Sequence, residues 1–169
     1  MSGTPPKGFI GFNTGCSKLY PLKKLALESS ISLIKKWREL YPEYIILLLG
    51  GKEDALRQNE MKKVFSEDSF VVNTPCDEGL RSGILWLDIS DLIFSGDSLG
   101  MHIAIALEKK VIAWFGLSCS QEIDLYDKGY KIKSDVTCGP CWKKKCNYKT
   151  KCNTQISLST VLSATSNLL

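Results

Sequence analysis

No apolar run in this chain approaches the roughly 20 residues that a membrane span requires; the longest, around Tyr44–Leu49, is strand-sized. The opening residues Met1-Ser2-Gly3-Thr4-Pro5-Pro6-Lys7 lack the apolar core of a signal peptide, which predicts a cytosolic protein. There is no internal repeat, low-complexity tract or linker. With 44% hydrophobic, 24% charged and 9% aromatic residues, 13 Gly and 6 Pro, the composition excludes disorder, collagen-like repeats and a disulfide miniprotein. A length of 169 residues suits one α/β domain with a proper core. Seven cysteines in a reducing compartment are better read as thiols or metal ligands than as disulfides.

The net charge of +4 is modest and unevenly placed. Eight lysines and one acid lie between Lys128 and Cys152, a local balance of +7 that leaves −3 for the rest. This is a near-neutral domain with a basic C-terminal appendage, not a uniformly basic nucleic-acid binder.

Short apolar runs alternate with helix-length segments. Gly8–Phe12 predicts a first strand. Leu22–Leu40 predicts a helix, with Leu27, Ile31, Ile34 and Trp37 spaced 4-3-3 and Pro42 beyond its end. Tyr44–Leu49 has the continuous apolar character of a strand buried on both faces of a parallel sheet. Gly50-Gly51 turns the chain into a helix to about Phe65, whose start carries Glu53 and Asp54 where a helix N-terminus favours acids. Ser69–Val72 predicts a third strand, Leu80–Leu87 a poorly defined helix, Asp91–Ser95 a fourth strand, Leu99–Leu107 a helix, and Val111–Phe115 a fifth strand. Beyond Gly116 the pattern weakens until a closing helix, Ser157–Leu168, with Ser157 as its N-cap. The order is that of an α/β, Rossmann-like, doubly wound parallel sheet. The chain therefore reads as a single domain over 1–169, with a Cys/Lys-rich loop at 136–153.

In open parallel sheets, ligands sit at the carboxyl ends of strands where the winding reverses. For strand order 3-2-1-4-5 that point lies between the first and fourth strands. The loops there, Asn13–Lys18 and Ser95–Gly100, are rich in glycine and hydroxyls. In the second, Gly100 lets a backbone approach a ligand, Ser98 adds a hydroxyl, and the helix from Leu99 offers unpaired N–H groups to an anion. His102, the single histidine, follows one turn later. A plain capped helix, with Asp97 or Ser98 as N-cap and His102 packed, explains the same residues. In the first loop, Lys18 suits a phosphate as a point charge and Thr14 offers a hydroxyl; a solvated lysine is the ordinary alternative. Glu53, after Gly50-Gly51, is placed either near a ribose or simply at a well-charged helix start. Gly96-Asp97-Ser98-Leu99 also spells the GDSL hydrolase motif. That family carries the motif after its first strand and needs a later histidine, and no histidine follows His102.

The tail carries Cys138-x2-Cys141-x4-Cys146-x5-Cys152, four thiols able to wrap one tetrahedral ion. Lys143, Lys144, Lys145, Lys149 and Lys151, interleaved with Trp142 and Tyr148, fit a knob that faces phosphate or nucleic acid; reduced thiols in a solubilising loop are the alternative. Four protein ligands would leave no open position, so the expected ion is structural zinc. Cys16, Cys76 and Cys119 show no ligand spacing.

Several of these stretches together resemble glycosyltransferase family 9, the lipopolysaccharide heptosyltransferases. Ser95–Leu107, followed by Val111-Ile112-Ala113-Trp114-Phe115-Gly116, is similar to the family's Asp-(Ser/Thr)-x-x-x-His-x-Ala block and the strand after it. Asn13–Pro21 resembles its donor loop, with Lys18 before an aromatic-Pro pair, and Leu47–Gly51 its Gly-Gly turn. A four-cysteine tail before the last helix also recurs among members. The resemblance implies one half of a GT-B glycosyltransferase, the C-terminal, donor-binding half. It implies that Thr14 and Lys18 contact the diphosphate or sugar of an ADP-heptose-like donor. Asp97, Ser98, Gly100 and His102 then hold diphosphate and sugar, and Glu53 lies near the nucleoside. It further implies an inverting transfer to a lipopolysaccharide core-type acceptor, no cofactor for the chemistry, and no nucleic-acid partner. The catalytic base would lie in an N-terminal acceptor-binding half, and the enzyme would be cytoplasmic, peripheral at the inner membrane. Gly15-Cys16-Ser17 and Leu117-Ser118 depart from the family pattern. The competing expectation is a Rossmann-like binding module whose metal knob contacts nucleic acid or a protein.

Overall fold

A computed structural model describes residues 5–169; Met1–Thr4, the first part of the opening segment read for a signal peptide, lie outside the described residues. Its frame is a sheet of six parallel strands: β1 (Gly8–Asn13), β2 (Tyr44–Leu49), β3 (Val71–Asn73), β4 (Leu92–Gly96), β5 (Lys110–Phe115) and β6 (Gly129–Lys133). Their spatial order is β3-β2-β1-β4-β5-β6. β1 pairs with β2 on one side and β4 on the other, so the winding reverses between β1 and β4. The helices are α1 (Leu27–Leu40), α2 (Ala55–Val64), α3 (Gly79–Asp88), α4 (Leu99–Ala106) and α5 (Leu158–Leu168).

Alternation along the strands divides the core into two layers, because successive side chains point to opposite faces. Ile10, Phe12, Ile46, Leu48, Phe94, Ile112 and Trp114 pack under α1, α2 and α5, against Leu33, Trp37, Met61 and Val161. Leu47, Leu49, Ile93, Val111, Ala113 and Phe115 face the other way, against Leu87 of α3 and Met101 and Ala104 of α4. Helices on both faces explain why β2 reads as an unbroken apolar run. Within the first layer Phe12 stacks on Phe94 at 5.1 Å, and Trp37 meets both rings edge-on. The indole of Trp37 donates to Thr165 Oγ1 at 3.0 Å, which ties α1 to α5. Among the described residues no helix is long and apolar enough to cross a membrane.

Two expectations need correction. The helix predicted from Leu22 begins at Leu27. Pro21–Lys23 instead forms one 3₁₀ turn, after which Lys24 and Ala26 are extended. Ala26 donates its N–H to Asn153 O at 2.8 Å, so a tertiary contact holds residues 24–26 out of the helix. The second correction is a sixth strand, β6, in the segment read only as basic. Gly-Tyr-Lys-Ile-Lys buries Ile132 alone and lies at the sheet edge, so it carries no apolar run to announce it. The closing helix starts as expected, with Thr160 N–H donating to the Ser157 hydroxyl at 3.2 Å.

Candidate functional site

The carboxyl ends of β1, β2 and β4 open onto a cavity of about 440 Å³ at the point where the winding reverses. Three segments form most of its wall: Asn13 to Ser17 after β1, Leu49 to Asp54 after β2, and Ser98 to Gly100 with Ile103 at the start of α4. Thr74–Asp77 after β3 and the first turns of α3 complete it.

Asn13 joins the two switch-point loops. Its amide donates to Ser95 Oγ at 2.9 Å and to Ser98 Oγ at 2.8 Å. Gly100 leaves room for this, because a Cβ there would lie 2.6 Å from Asn13 Nδ2. Ser98 occupies the N-cap position of α4, yet its side chain caps nothing. Its hydroxyl goes to Asn13 and lies 3.2 Å from Ser95 Oγ. The first-turn amides of α4 are therefore without a side-chain cap, and Leu99 and Gly100 line the cavity. His102 Nε2 faces Asp97 Oδ1 at 3.8 Å rather than Ser98, so the motif Gly96–Leu99 makes no Ser-His pair.

The loop from Asn13 to Ala26 lies over the sheet end and is fastened from below. The buried hydroxyl of Thr14 donates to Leu49 O at 2.8 Å. Asp54, also buried, accepts from Gly51 N–H at 3.2 Å and from the ammonium of Lys24. Gly15 passes so close above that a Cβ would lie 2.2 Å from Asp54 Oδ2. Arg57, at the base of α2, donates to Ser30 Oγ at 3.0 Å and to Leu25 O; burial lowers its pKa, with Asp54 opposing. Cys16 and Cys76 line the cavity, and burial raises both above the ordinary thiol value, so both are neutral thiols at neutral pH.

Of the residues named from sequence, Glu53, Ser98 and Gly100 line the cavity. Thr14 lies beneath it with its hydroxyl engaged by the backbone. Lys18 is exposed on the loop one residue past the wall, and among the described residues it has no ion-pair partner. Asp97 and His102 stand beside the cavity and face each other. Sequence reasoning missed Asn13 as a contact and passed over Lys23, whose ammonium lies 2.6 Å from Asp97 Oδ2. Lys23 also lies 4.8 Å from the centroid of the Trp142 ring. Sequence gives no sign of that pairing across 74 residues.

All four tail cysteines, Cys138, Cys141, Cys146 and Cys152, border one cavity of about 10 Å³ together with Leu22 and Tyr148. Burial raises the Cys152 thiol, and Cys141 and Cys146 raise it further. Four thiols are a donor set that suits zinc. An ion would have to draw them inward, because among the described residues no group of three or more His, Cys, Asp or Glu stands in a metal-holding arrangement.

The sequence profile of glycosyltransferase family 9 (heptosyltransferase) matches residues 13–152. No match was found among curated proteins. Among solved structures the chain is similar to E. coli ADP-heptose lps heptosyltransferase II, with TM-score 0.76 and 22% identity over 99% of this chain and 48% of that one. It is similar to E. coli heptosyltransferase WaaC with ADP, with TM-score 0.69 and 14% identity over 94% and 43%. It is also similar to the family 9 glycosyl transferase of Veillonella parvula, with TM-score 0.66 and 20% identity over 99% and 47%. The chain thus spans about half the length of these relatives, and its fold is the Rossmann-like half of a GT-B architecture.

Proposed function

The chain belongs to glycosyltransferase family 9, and from that membership we propose that it is the nucleotide-sugar-binding half of an inverting glycosyltransferase. In this reading it moves a heptose-like sugar from a nucleoside diphosphate to a lipopolysaccharide core-type acceptor. The observation that carries the reading is the cavity of about 440 Å³ at the switch point, walled by Gly15, Gly50, Gly51 and Gly100 and by the uncapped first turn of α4. A relative solved with ADP supports an adenine nucleotide.

The nucleoside enters between the Gly50-Gly51 turn and α3, with Glu53 near the ribose hydroxyls. The diphosphate meets the first-turn amides of α4, where backbone N–H groups and the helix dipole favour an anion. Lys18, which has no ion-pair partner among the described residues, closes over it from the Asn13–Lys18 loop. Asp97 and His102 offer an acceptor and a donor to the sugar hydroxyls beside the cavity. Thr14 acts from beneath, fixing the loop that carries Lys18. In the transfer, the acceptor oxygen bonds to the anomeric carbon as the bond from that carbon to the diphosphate breaks on the opposite face. The acceptor proton goes to a base outside this chain, in an N-terminal acceptor-binding half. The developing negative charge on the leaving diphosphate is stabilised by Lys18 and the α4 amides, which are in place before the reaction. The four tail cysteines, Cys138, Cys141, Cys146 and Cys152, would hold a structural zinc ion, which would take no part in these steps.

Calorimetry with ADP and with an ADP-sugar tests the reading. Lys18→Ala removes one contact to the diphosphate and is expected to weaken ADP binding about ten- to hundredfold, the equivalent of roughly 1.5–3 kcal/mol; His102→Ala is expected to weaken binding of an ADP-sugar, whose sugar it meets, by a similar factor. Unchanged affinity in both folded variants leaves Lys18 and His102 as solvated surface residues; His102 is 54% exposed, not packed.

A further inference from the structure

We infer that Trp142, carried on the cysteine-rich loop, is a positioning residue that holds Lys23 against Asp97 beside the nucleotide cavity. The inference rests on the proposed nucleotide-sugar site, and it adds a residue that neither the family motif nor the cavity wall contains.

Lys23 sits on the 3₁₀ turn Pro21–Lys23, not on a regular helix, so the turn itself does little to fix its side chain. Three groups close on its ammonium. Asp97 Oδ2 lies at 2.6 Å, the Trp142 ring centroid at 4.8 Å and the Tyr20 ring centroid at 5.6 Å. The two rings meet edge to face at 6.0 Å and form two walls around the cation. Aromatic faces attract a cation and exclude water from it, which strengthens its pairing with a carboxylate. The side chains of Lys23 and Asp97 are accordingly only 15% and 12% exposed. The opposite oxygen, Asp97 Oδ1, is then left facing His102.

Trp142 is presented in an unusual way. Its φ is +53°, a left-handed conformation that strains a bulky residue. Both its N–H and that of Cys141 donate to Leu117 O at 3.0 Å, which anchors the loop just beyond β5. Despite this strain Trp142 is 40% exposed and belongs to neither core layer. Its burial therefore does not account for the conformation; the two hydrogen bonds to Leu117 O hold the backbone there, and the indole so presented meets Lys23 and Tyr20. The same loop also meets the turn through Leu22, which borders the cavity of the four cysteines. Leu22 and Lys23, adjacent on the turn, thus both contact one loop.

Trp142→Gly separates positioning from folding, because glycine accepts the left-handed conformation without strain. The folded chain is expected to keep or raise its melting temperature. Lys23 acylation by a dilute amine-reactive ester, followed by peptide mass spectrometry, is expected to rise about three- to tenfold as the ring that covers it is lost. Binding of an ADP-sugar, whose sugar hydroxyls meet Asp97, is expected to weaken by a similar factor, and Trp142→Phe should restore most of both. Unchanged Lys23 acylation in Trp142→Gly overturns the inference, as does ADP-sugar binding equal to wild type. If wild-type protein binds no ADP, the proposed function fails, while the acylation comparison still decides whether Trp142 holds Lys23.

Discussion

The amide of Asn13 spans from the end of β1 to two serines around the end of β4, and Gly100 stands close enough to that amide to exclude any side chain of its own. Gly100→Ala places a methyl 2.6 Å from Asn13 Nδ2 and should displace it, losing hydrogen bonds that contribute roughly 0.5–1.5 kcal/mol each. Adding Asn13→Ala removes the clash, so the double variant should be less destabilised than the sum of the singles, a coupling that chemical denaturation of all three reads directly. Additive effects would mean that the two residues do not share a contact. The same scale shows what a residue type can and cannot reveal. Thr14 attracts notice by its hydroxyl, but that hydroxyl is spent on Leu49 O. Lys18, Lys23 and Lys24 look alike along the chain; one is exposed, one is paired with Asp97 and one with Asp54. Partners 30 and 74 residues away make that distinction, and no local pattern carries it.

Elements were legible where burial is continuous and illegible where it is not. β2 was read to the residue because both its faces are covered, and α5 was read because Ser157 caps it. The false start of α1 came from good helix formers that a bond from Ala26 to Asn153 holds extended. β6 was hidden among lysines because an edge strand needs only one buried side chain. The switch point itself was legible, since it follows from strand order, whereas the Asn13 bridge that closes it did not. α1 and α5 meet through one polar bond inside an apolar layer, from Trp37 Nε1 to Thr165 Oγ1, and Thr165 is fully buried. Thr165→Val keeps the shape but leaves the indole N–H unpartnered, and should cost about 1–3 kcal/mol in urea unfolding; a smaller loss would mean that water replaces the hydroxyl. The cysteine-rich loop tests differently. Protein purified under reducing conditions without added metal should carry one zinc per chain, and Cys141→Ser should lose it while β1–β5 remain folded. Metal-free wild-type protein with an ordered loop would leave four reduced thiols packed beside Leu22.

For the molecule as a whole, the described residues contain a nucleotide-sized cavity at the carboxyl end of the sheet and span about half the length of the relatives. ADP should therefore bind to this chain by itself, while sugar transfer should require an N-terminal half supplied separately. Transfer by this chain alone would overturn the division of labour proposed for the two halves. The position of β6 has a consequence of another kind. Among the described residues it is the outermost strand, and no neighbouring strand pairs with the far side of its backbone. A bare parallel edge is a template for stacking a second molecule, and lysines along such an edge oppose it by charge and desolvation. Lys131 and Lys133 lie on this strand, and Lys131 also reaches back to Ile123 O at 2.9 Å. Replacing both by threonine keeps strand propensity and removes two charges. The variant should stay folded yet form aggregates that light scattering detects sooner and at lower concentration than for wild type, with added salt narrowing the gap. The basic character of this segment would then guard colloidal stability rather than mark a binding face.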